Sequence, residues 1–257
     1  MLAMRAVTLA MCVFVALPLA WLVYAAFIPA EALLRANLAT FGLSLENFAA
    51  VAASGLWRAM GVSFLASGLA VAGQLVCGLG AAYAIRNGAR LLGLVLVLLA
   101  LPSELLLVPL YRQLQSLAMI DTLAALVVPF LASPLVVFLL LQALRRLPWE
   151  LIEAARLDGA GEATIVARVV APILRPELMA AAVLAFAAHW NLVLYPRVMT
   201  TESLWTVQVF LTDLLRTRQF EWGLLGAAAL IASTPILVLY VVFEKRIVAT
   251  FEAGFRS

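Results

Sequence analysis

The sequence predicts an all-α membrane protein with six transmembrane helices. Of its 257 residues, 66% are hydrophobic and 12% are charged, and the mean hydropathy is +1.09. A soluble globular domain is about 45–50% apolar and about 25% charged, so this composition is that of a chain that lies in a lipid bilayer. Six apolar runs, each long enough to cross roughly 30 Å of hydrocarbon, alternate with short polar connectors. We therefore expect one transmembrane domain over residues 1–257, with no room for a separate soluble domain of ordinary size.

The six predicted spans follow one another with little between them. They cover residues 6–28, 59–85, 91–110, 123–144, 178–199 and 223–248. The first also fits a cleaved signal peptide, because small residues occur near Ala25, but its length exceeds a typical signal core and favours a retained span. Small residues in the second span allow neighbouring helices to approach closely. Pro102 interrupts the third span, and Pro129 and Pro134 lie in the fourth.

The distribution of basic residues predicts the orientation of the chain. An even number of spans places both termini on the same side of the membrane. If that side is the cytoplasm, the inside segments hold eleven Lys and Arg residues and the outside segments hold six. Because cytoplasmic segments carry an excess of Lys and Arg, both termini and the polar segment 145–177 are predicted to be cytoplasmic. No internal repeat is visible in the sequence.

The segment 145–177, called the central loop below, is predicted to form two short amphipathic helices joined by a tight turn. Pro148 suits the first turn of a helix, and Gly159 offers the left-handed conformation that ends one. The apolar face predicted for the first helix comprises Leu147, Leu151, Ala154 and Ala155, and Trp149, Glu153 and Arg156 are predicted to lie opposite. The second helix begins at Glu162 and is predicted to break at Pro172 and Pro176. This pattern alone also fits a hairpin that only connects two spans.

The order of residues in the central loop resembles the EAA loop of ABC-importer permeases. Glu153-Ala154-Ala155, three residues, Gly159 and nine residues precede Val169-Val170-Ala171-Pro172. The family pattern is EAA, three residues, G, nine residues and I-x-L-P. In this chain Val169 stands in place of the Ile and Ala171 in place of the Leu.

Further segments extend the resemblance over nearly the whole chain. They are Leu43–Phe48 (LSLENF), Ala100–Leu117 with its Pro-Leu-Tyr, Asp121–Pro134, His189-Trp190-Asn191 and Trp222-Gly223. Together they are similar to the maltose-transporter-type permeases of carbohydrate importers in their shorter six-span form. The resemblance implies a type I ABC-importer permease fold.

The resemblance also implies the partners and the role of the central loop. A second homologous permease, two ATPase subunits and an extracytoplasmic solute-binding protein would assemble with the chain in a bacterial or archaeal cell membrane. A sugar or sugar-like solute would pass between the permeases, which are surrounded by membrane lipid. The residues implied in coupling to the ATPase are Glu153, Ala154, Ala155, Arg156, Leu157, Asp158, Gly159, Ala160 and Pro172.

The chain is predicted not to be an enzyme, and to bind no cofactor. It lacks the G-x-x-x-x-G-K-[ST] loop that cradles nucleotide phosphates, so ATP and Mg would be held by the partner ATPase. A metal site is not expected, since His189 is the single histidine and Cys12 and Cys77 lie in apolar spans. One lysine and scattered arginines form no basic cluster, which disfavours nucleic acid as a partner.

Four residues within the predicted spans are candidates for the solute path. Ionisable and polar groups at membrane depth are costly and usually face a cavity or a partner helix. On this interpretation Glu104, His189 and Asn191 hydrogen-bond sugar hydroxyls and Trp190 stacks on a pyranose face. The alternative is hydrogen bonding between helices, which is favoured for Gln74 and Gln142. Glu104 departs from the family pattern and would either recognise a group of the substrate or pair with an arginine of the partner.

Three other functions stay open at the level of sequence. The chain could belong to an ABC importer for a non-sugar solute, such as an amino acid, a phosphate ester or a polyol. It could be a polytopic membrane enzyme, although such an enzyme needs convergent catalytic groups, and one histidine with one mid-span carboxylate is too few. A non-catalytic scaffold would leave the glycine-containing central loop without a purpose.

Overall fold

The computed structural model describes the backbone of residues 2–29, 43–218 and 221–255, and all regular structure within them is helical. Residues 30–42 of the predicted first connector lie outside these ranges. In chain order, the α-helices are α1 (Leu2–Ala26), α2 (Glu46–Ala53), α3 (Leu56–Arg86), α4 (Leu92–Ala100), α5 (Leu107–Ser116), α6 (Leu123–Val127), α7 (Pro134–Arg145), α8 (Glu150–Leu157), α9 (Glu162–Ile165), α10 (Ala171–Ile173), α11 (Arg175–Trp190), α12 (Leu194–Met199), α13 (Val207–Thr217) and α14 (Trp222–Phe255). Short 3-10 turns cover Ser103–Leu106, Val128–Phe130 and Glu202–Leu204, and a π-helical turn covers Val166–Val170.

Within the described ranges, four helical segments are long and apolar enough to cross a membrane, and two bent helix pairs raise the number to six if each is one span. The four are Val7–Ala26, Leu56–Arg86, Leu123–Arg145 and Trp222–Glu244. The chain, which the sequence predicts to be one domain, divides into two compact units. Unit 1 comprises Met1–Gly61 and Thr206–Pro235, and unit 2 comprises Val62–Trp205 and Ile236–Ser257.

The third predicted span is interrupted at Pro102, as the sequence predicts, and its two parts are sharply bent. Helix α4 ends at Ala100, and the next helical segment, Ser103–Ser116, is turned from it by 97°. Leu101 adopts an extended conformation, with φ −80° and ψ 126°. The residue before a proline is disfavoured in the helical region, so Pro102 forces the break at this position.

The fifth predicted span begins and ends earlier than expected. Helix α11 covers Arg175–Trp190, and Asn191 follows as its C-terminal residue. The segment Glu162–Ile173 meets α11 at 85°, so the break falls at Leu174 and not at the two prolines. Both prolines lie in the first turn of a helix, where the missing N–H costs nothing.

The helix of the sixth predicted span continues beyond its predicted end, although its apolar part, Trp222–Glu244, ends within the predicted bounds. The sequence predicts a short polar tail from Ala249, whereas the backbone of α14 is helical as far as Phe255.

The fourth span contains two helices, α6 and α7, each with a side-chain cap at its start. Thr122 Oγ1 accepts from Ala125 N, and Ser133 Oγ accepts from Val136 N. These caps satisfy amide groups that the first turn of a helix leaves unpaired.

In unit 1, the end of α1 is held by the Leu43–Phe48 motif. Asn47 is buried, and its Nδ2 donates to the carbonyl oxygens of Ala26 at 3.0 Å and Ile28 at 2.8 Å. Helix C-termini leave carbonyls unpaired, and Asn47 satisfies two of them. A Cβ at Gly223 would lie 2.9 Å from the Ile28 oxygen, so α14 can approach this corner only with glycine there.

In unit 2, the core forms where α3 packs against α7 and the segment before it. A Cβ at Gly73 would collide with the side chain of Leu131, and one at Gly78 would lie 2.8 Å from Val136 Cγ1. The small-residue pattern in this span therefore serves close helix approach. The same core continues through Ile152 and Ile165 of the central loop, both fully buried. The central loop is thus packed into unit 2 and does not stand apart from it.

Candidate functional site

The turn of the central loop has the geometry that the sequence predicts. Gly159 has φ +83°, a conformation that residues with a Cβ rarely adopt. The amide of Gly159 donates to Arg156 O and that of Ala160 donates to Ala155 O, both at 3.0 Å, and these bonds close the end of α8. Gly161 has φ −71° and precedes α9, so only the first of the two glycines needs its conformational freedom.

The face of α8 that packs inward differs from the predicted one. Ile152 is fully buried, and Trp149 packs against Tyr83 with their ring centroids 6.3 Å apart. Arg156 lies on the same face, because residues 149, 152 and 156 are three and four positions apart. The sequence analysis grouped Glu153 with Trp149 and Arg156, opposite an apolar face that includes Leu151. In the structure Trp149 and Arg156 do lie opposite Leu151, but Glu153 is exposed beside Leu151, so the grouping of Glu153 is wrong. The charge of Arg156 is paired within the chain.

The outward face of α8 carries apolar side chains instead. Leu157 is 89% exposed and Leu151 is 46% exposed. Ala154 and Glu153 are exposed between them, and Asp158 follows at the turn. Large apolar side chains that protrude from a polar segment mark an interaction surface more often than an isolated exposed leucine does.

Beside the turn, Arg156 binds three other polar side chains of unit 2. Its Nε donates to Glu162 Oε1 at 2.8 Å and its Nη2 to Glu162 Oε2 at 3.1 Å. The same Nη2 donates to Asn87 Oδ1 at 2.8 Å and to Tyr83 Oη at 3.3 Å. The Tyr83 hydroxyl in turn donates to Glu162 Oε2. These four residues are called the α3 tie below: Tyr83 near the end of α3, Asn87 directly after it, and Arg156 and Glu162 from the central loop.

Arg156 and Glu162 of the α3 tie stabilise each other's charged forms. The hydrogen bond to Glu162 raises the pKa of the Arg156 guanidinium. The bonds from Arg156 and then from Tyr83 lower the pKa of the Glu162 carboxyl. The Trp149 ring lies close to two guanidinium carbons, that of Arg86 at 5.0 Å and that of Arg156 at 5.6 Å from its centroid. Such cation–π contacts favour a fixed ring position.

A second polar connection joins the connectors that follow the third and fifth predicted spans. The sequence predicts both on the outside, opposite the central loop. The Thr201 amide donates to Asp121 Oδ1 and its hydroxyl to Asp121 Oδ2, both at 2.8 Å. The Asp121 amide donates to Met199 O at 2.9 Å. The amide and then the hydroxyl of Thr201 lower the pKa of the Asp121 carboxyl. These two connectors, both predicted to lie outside, therefore contact one another.

His189, one of the predicted solute-path residues, is buried and hydrogen-bonded. Its Nε2 lies 3.0 Å from Leu126 O and its Nδ1 lies 3.0 Å from Ser67 Oγ. A carbonyl oxygen only accepts, so Nε2 carries a proton and donates to it. The Phe130 ring meets the imidazole edge-on, at 4.9 Å between centroids. His189 thus connects three segments of unit 2.

The other three predicted solute-path residues divide between buried and exposed positions. Trp190 is 1% exposed, stacked on Phe186 and in edge contact with Phe64. Asn191 is exposed, and its Nδ2 donates to Ala187 O at 2.8 Å. Glu104 is exposed in the 3-10 turn after the bend of the third span.

A cavity of about 180 Å³ adjoins His189, and it includes a residue that the sequence interpretation assigned to contacts between helices. Gln74 is 5% exposed, and no hydrogen-bond partner for its amide occurs within the described residues. Its neighbours in the cavity wall include Ser133, Phe130 and Leu192. Gln142, which received the same interpretation, is exposed.

The sequence interpretation did not identify Tyr83, Asn87 or Glu162 as functional candidates. Arg156 and Glu162 are close in sequence, and an Arg and a Glu flanking a glycine turn could have signalled an ion pair. Tyr83 and Asn87 are 73 and 69 residues away from Arg156, so no local pattern connects them. Among the described residues, no group of three or more His, Cys, Asp or Glu side chains could hold a metal ion.

Comparison with known proteins connects this geometry to a family. The family described as "Binding-protein-dependent transport system inner membrane component" matches residues 74–251. The trehalose transport system permease protein SugB of Mycobacterium tuberculosis is 30% identical over 93% of this chain and 91% of its own length. The arabinooligosaccharides transport system permease protein AraQ of Halalkalibacterium halodurans is 30% identical over 92% and 89%.

Two further similarities broaden the comparison. The sn-glycerol-3-phosphate transport system permease protein UgpE of Shigella flexneri is 32% identical over 60% of this chain and 56% of its own length. A chain of a bacterial ABC transporter involved in the import of the acidic polysaccharide alginate has a similar fold, with a TM-score of 0.77 and 17% identity over 94% of this chain and 95% of that one. The predicted fold class is confirmed. The chain belongs to the family of inner-membrane components of binding-protein-dependent transport systems.

Proposed function

We propose that the chain is the permease subunit of an ATP-driven importer of a sugar or sugar-like solute. It forms the translocation path with a second, homologous permease, and an extracytoplasmic binding protein delivers the solute. The family supports the role of the chain, and the relatives for trehalose and arabinooligosaccharides support the class of solute. The relative for sn-glycerol 3-phosphate supports a phosphate ester of a polyol as the second candidate.

The outward face of α8 is the observation that carries the proposal. Leu157 and Leu151 protrude from a helix whose inward face is locked into unit 2. Two ATPase subunits of the importer bind the two permeases, and one of them covers this face. Exposed ion pairs contribute about 0–1 kcal/mol each. Apolar contacts around Leu157 therefore supply most of the affinity for the ATPase, and Glu153 and Asp158 make smaller contributions.

ATP and Mg belong to the ATPase subunits in this proposal, and the chain itself hydrolyses nothing. Closure of the ATPase pair moves the central loop, including Ala160 and Pro172, and the attached spans rock as rigid bodies about a central cavity. The central loop and both termini face the cytoplasm of a bacterial or archaeal cell, in keeping with the excess of basic residues on that side.

The solute path in this proposal includes the predicted residues in two roles. Glu104 and Asn191 are exposed and contact the solute with their polar groups. His189 and Trp190 are buried and shape the wall behind them. Gln74 adds an amide at the cavity beside His189, where it can donate to and accept from a hydroxyl group.

Transport assays on the reconstituted importer test the proposal. The chain is purified with the permease, ATPase and binding protein encoded beside it and placed in proteoliposomes. Uptake of trehalose, arabinooligosaccharides and sn-glycerol 3-phosphate is then measured together with ATP hydrolysis. We expect one of the two sugars to stimulate hydrolysis and to accumulate inside. Stimulation by sn-glycerol 3-phosphate alone selects the second candidate, and the absence of any ATPase from the purified complex contradicts the proposal.

A further inference from the structure

The α3 tie joins parts of the chain that the covalent connections of the central loop leave separate. The loop continues directly into α7 on one side and α11 on the other. Neither connection continues as a straight helix: residues 146–149 after Arg145 are non-helical, and the segment Glu162–Ile173 meets α11 at 85°, with Leu174 between them. Helix α3 ends nearly seventy residues earlier in the chain and reaches the loop only through noncovalent contacts.

The geometry of the α3 tie is better suited to fixing the orientation of α8 relative to α3 than to raising the free energy of unfolding. The side chains of Arg156 and Glu162 are 35% and 57% exposed, and exposed pairs contribute about 0–1 kcal/mol. The guanidinium nevertheless engages both oxygens of Glu162 and the side-chain oxygen of Asn87. A planar fork with three fixed acceptors permits little rotation of the helix that carries it.

Packing beneath the α3 tie anchors one end of the polar network in the core of unit 2. Tyr83 is buried and belongs to the core of unit 2, as do Ile152 and Ile165. The ring of Trp149 stands between Tyr83 and the Arg86 guanidinium. Tyr83 therefore anchors the polar network in the core, while Arg156 and Glu162 extend it to the turn at Gly159.

We infer that the α3 tie makes the central loop and the end of α3 one rigid body, so that α3 moves together with the loop when the ATPase subunits close. Arg156, Glu162 and Asn87 are then positioning residues, which act through α3 and not by contact with solute or nucleotide. The inference rests on the proposed function, because it names the helix through which the loop moves the solute path. Without the tie, the loop moves by flexing at residues 146–149 and at Leu174, and α3 does not follow it.

Electron paramagnetic resonance measures the rigidity directly. Cys12 and Cys77 are replaced by serine, and nitroxide labels are placed at Arg90 and Thr164, two exposed positions on either side of the tie. We expect a narrow distance distribution in nanodiscs with the ATPase bound, unchanged between the nucleotide-free and the ADP–vanadate states. Arg156→Ala should broaden it, whereas Arg168→Ala, an exposed arginine of the same loop, should not. A narrow distribution in Arg156→Ala, or a shift of the mean with ADP–vanadate in the parent protein, overturns the inference.

Coupling measurements separate positioning from direct contact with the ATPase. We expect Arg156→Glu and Glu162→Arg to lower the amount of sugar transported per ATP hydrolysed by about fivefold or more, a loss typical of a broken coupling between sites. The double variant R156E/E162R restores the opposite charges and should recover most of the ratio. Asn87→Ala, at the end of α3, should lower it in the same direction. If Arg156 instead contacts the ATPase, the double variant stays uncoupled and Asn87→Ala has no effect, which overturns the inference.

The two experiments keep the inference separate from the proposed function. The label distances in the chain alone, in nanodiscs without ATPase, report the rigidity of the tie whether or not the importer is assembled. If no sugar drives uptake by the parent complex but the distances follow the expected pattern, the proposed function fails and the rigid body stands. If the parent complex transports and every tie variant couples normally, the inference fails and the function stands.

Discussion

The two faces of α8 are not divided by polarity as those of a simple amphipathic helix are. The inward face holds Trp149, the fully buried Ile152 and a charged Arg156, whereas the outward face holds Leu151 and the 89% exposed Leu157. The arginine lies inside because Glu162 and Asn87 satisfy it, and the leucines lie outside because another protein is expected to cover them. Burial within one chain is therefore incomplete information about a subunit of a complex.

Ile152→Ala tests the inward face and has the largest expected effect on stability. Removing a fully buried side chain costs about 2–5 kcal/mol, because a cavity remains. We expect a lower unfolding temperature of the detergent-purified chain, with ATPase affinity preserved in the folded fraction. The matched control is Leu151→Ala on the outward face, which should leave the unfolding temperature nearly unchanged. Equal effects of the two variants would remove the distinction between the faces.

Leu157→Glu tests the outward face. A charge in the centre of an apolar contact costs about 2 kcal/mol or more, which corresponds to at least about tenfold weaker binding. We expect less ATPase to copurify with the permease, at an unchanged unfolding temperature of the chain. Leu157→Met conserves the volume and should bind normally. Undiminished binding of the glutamate variant would show that the ATPase docks elsewhere.

Gly159→Ala tests the turn that fixes both faces in place. The space around Gly159 is open, so the cost is conformational: about 1–2 kcal/mol for a residue with a Cβ in the left-handed region. Gly161→Ala is the control, since Gly161 is equally open but has φ −71°. The unfolding temperature and the rate of ATP-coupled uptake should both fall for Gly159→Ala and stay near the parent values for Gly161→Ala. A proline at position 159 should uncouple transport more completely while the spans still assemble.

The pH dependence of stability tests the polar part of the inward face and has the smallest expected effect. The pKa of Glu162 is lowered in the folded chain by Arg156 and Tyr83. Its stabilising contribution is therefore fully present above the ordinary carboxyl pKa, about 4.3, and is lost as the pH falls through the lowered value. The difference in unfolding temperature between the parent chain and Glu162→Gln should be constant from about pH 6 to 8 and shrink only in acid. A difference that changes near neutral pH would contradict this assignment.

The sequence predicts those features that depend on local chemistry. Gly159 at positive φ is confirmed, because only a glycine comfortably ends a helix in that conformation. The resemblance to ABC-importer permeases is confirmed by the family match. The break at Pro102 was anticipated as an interruption, but its 97° turn was not, since one proline fixes where a helix ends and not where the chain then goes.

Features that depend on distant residues were missed or wrong. Periodicity assigned the faces of α8 by hydrophobicity alone. It could not include Asn87, a residue of a distant segment whose side-chain oxygen accepts a hydrogen bond from Arg156. Asn47 looked like one residue of a weak motif, and its role appears only when the end of α1 is placed beside it. Gln74 and His189 share a cavity wall although they belong to different spans.

Labelling of a single cysteine at position 157 tests whether the outward face of α8 lies in the cytoplasm and is covered by the ATPase. In a chain without Cys12 and Cys77, Leu157→Cys is treated with a membrane-impermeant maleimide in intact cells and in inside-out vesicles stripped of ATPase. Leu117→Cys, in a connector predicted outside, is the control and should react in cells whose outer membrane is permeabilised. We predict that position 157 reacts only in the vesicles and becomes protected when purified ATPase rebinds. Reaction from the outside of the cell, or equal reaction with and without ATPase, would contradict the account.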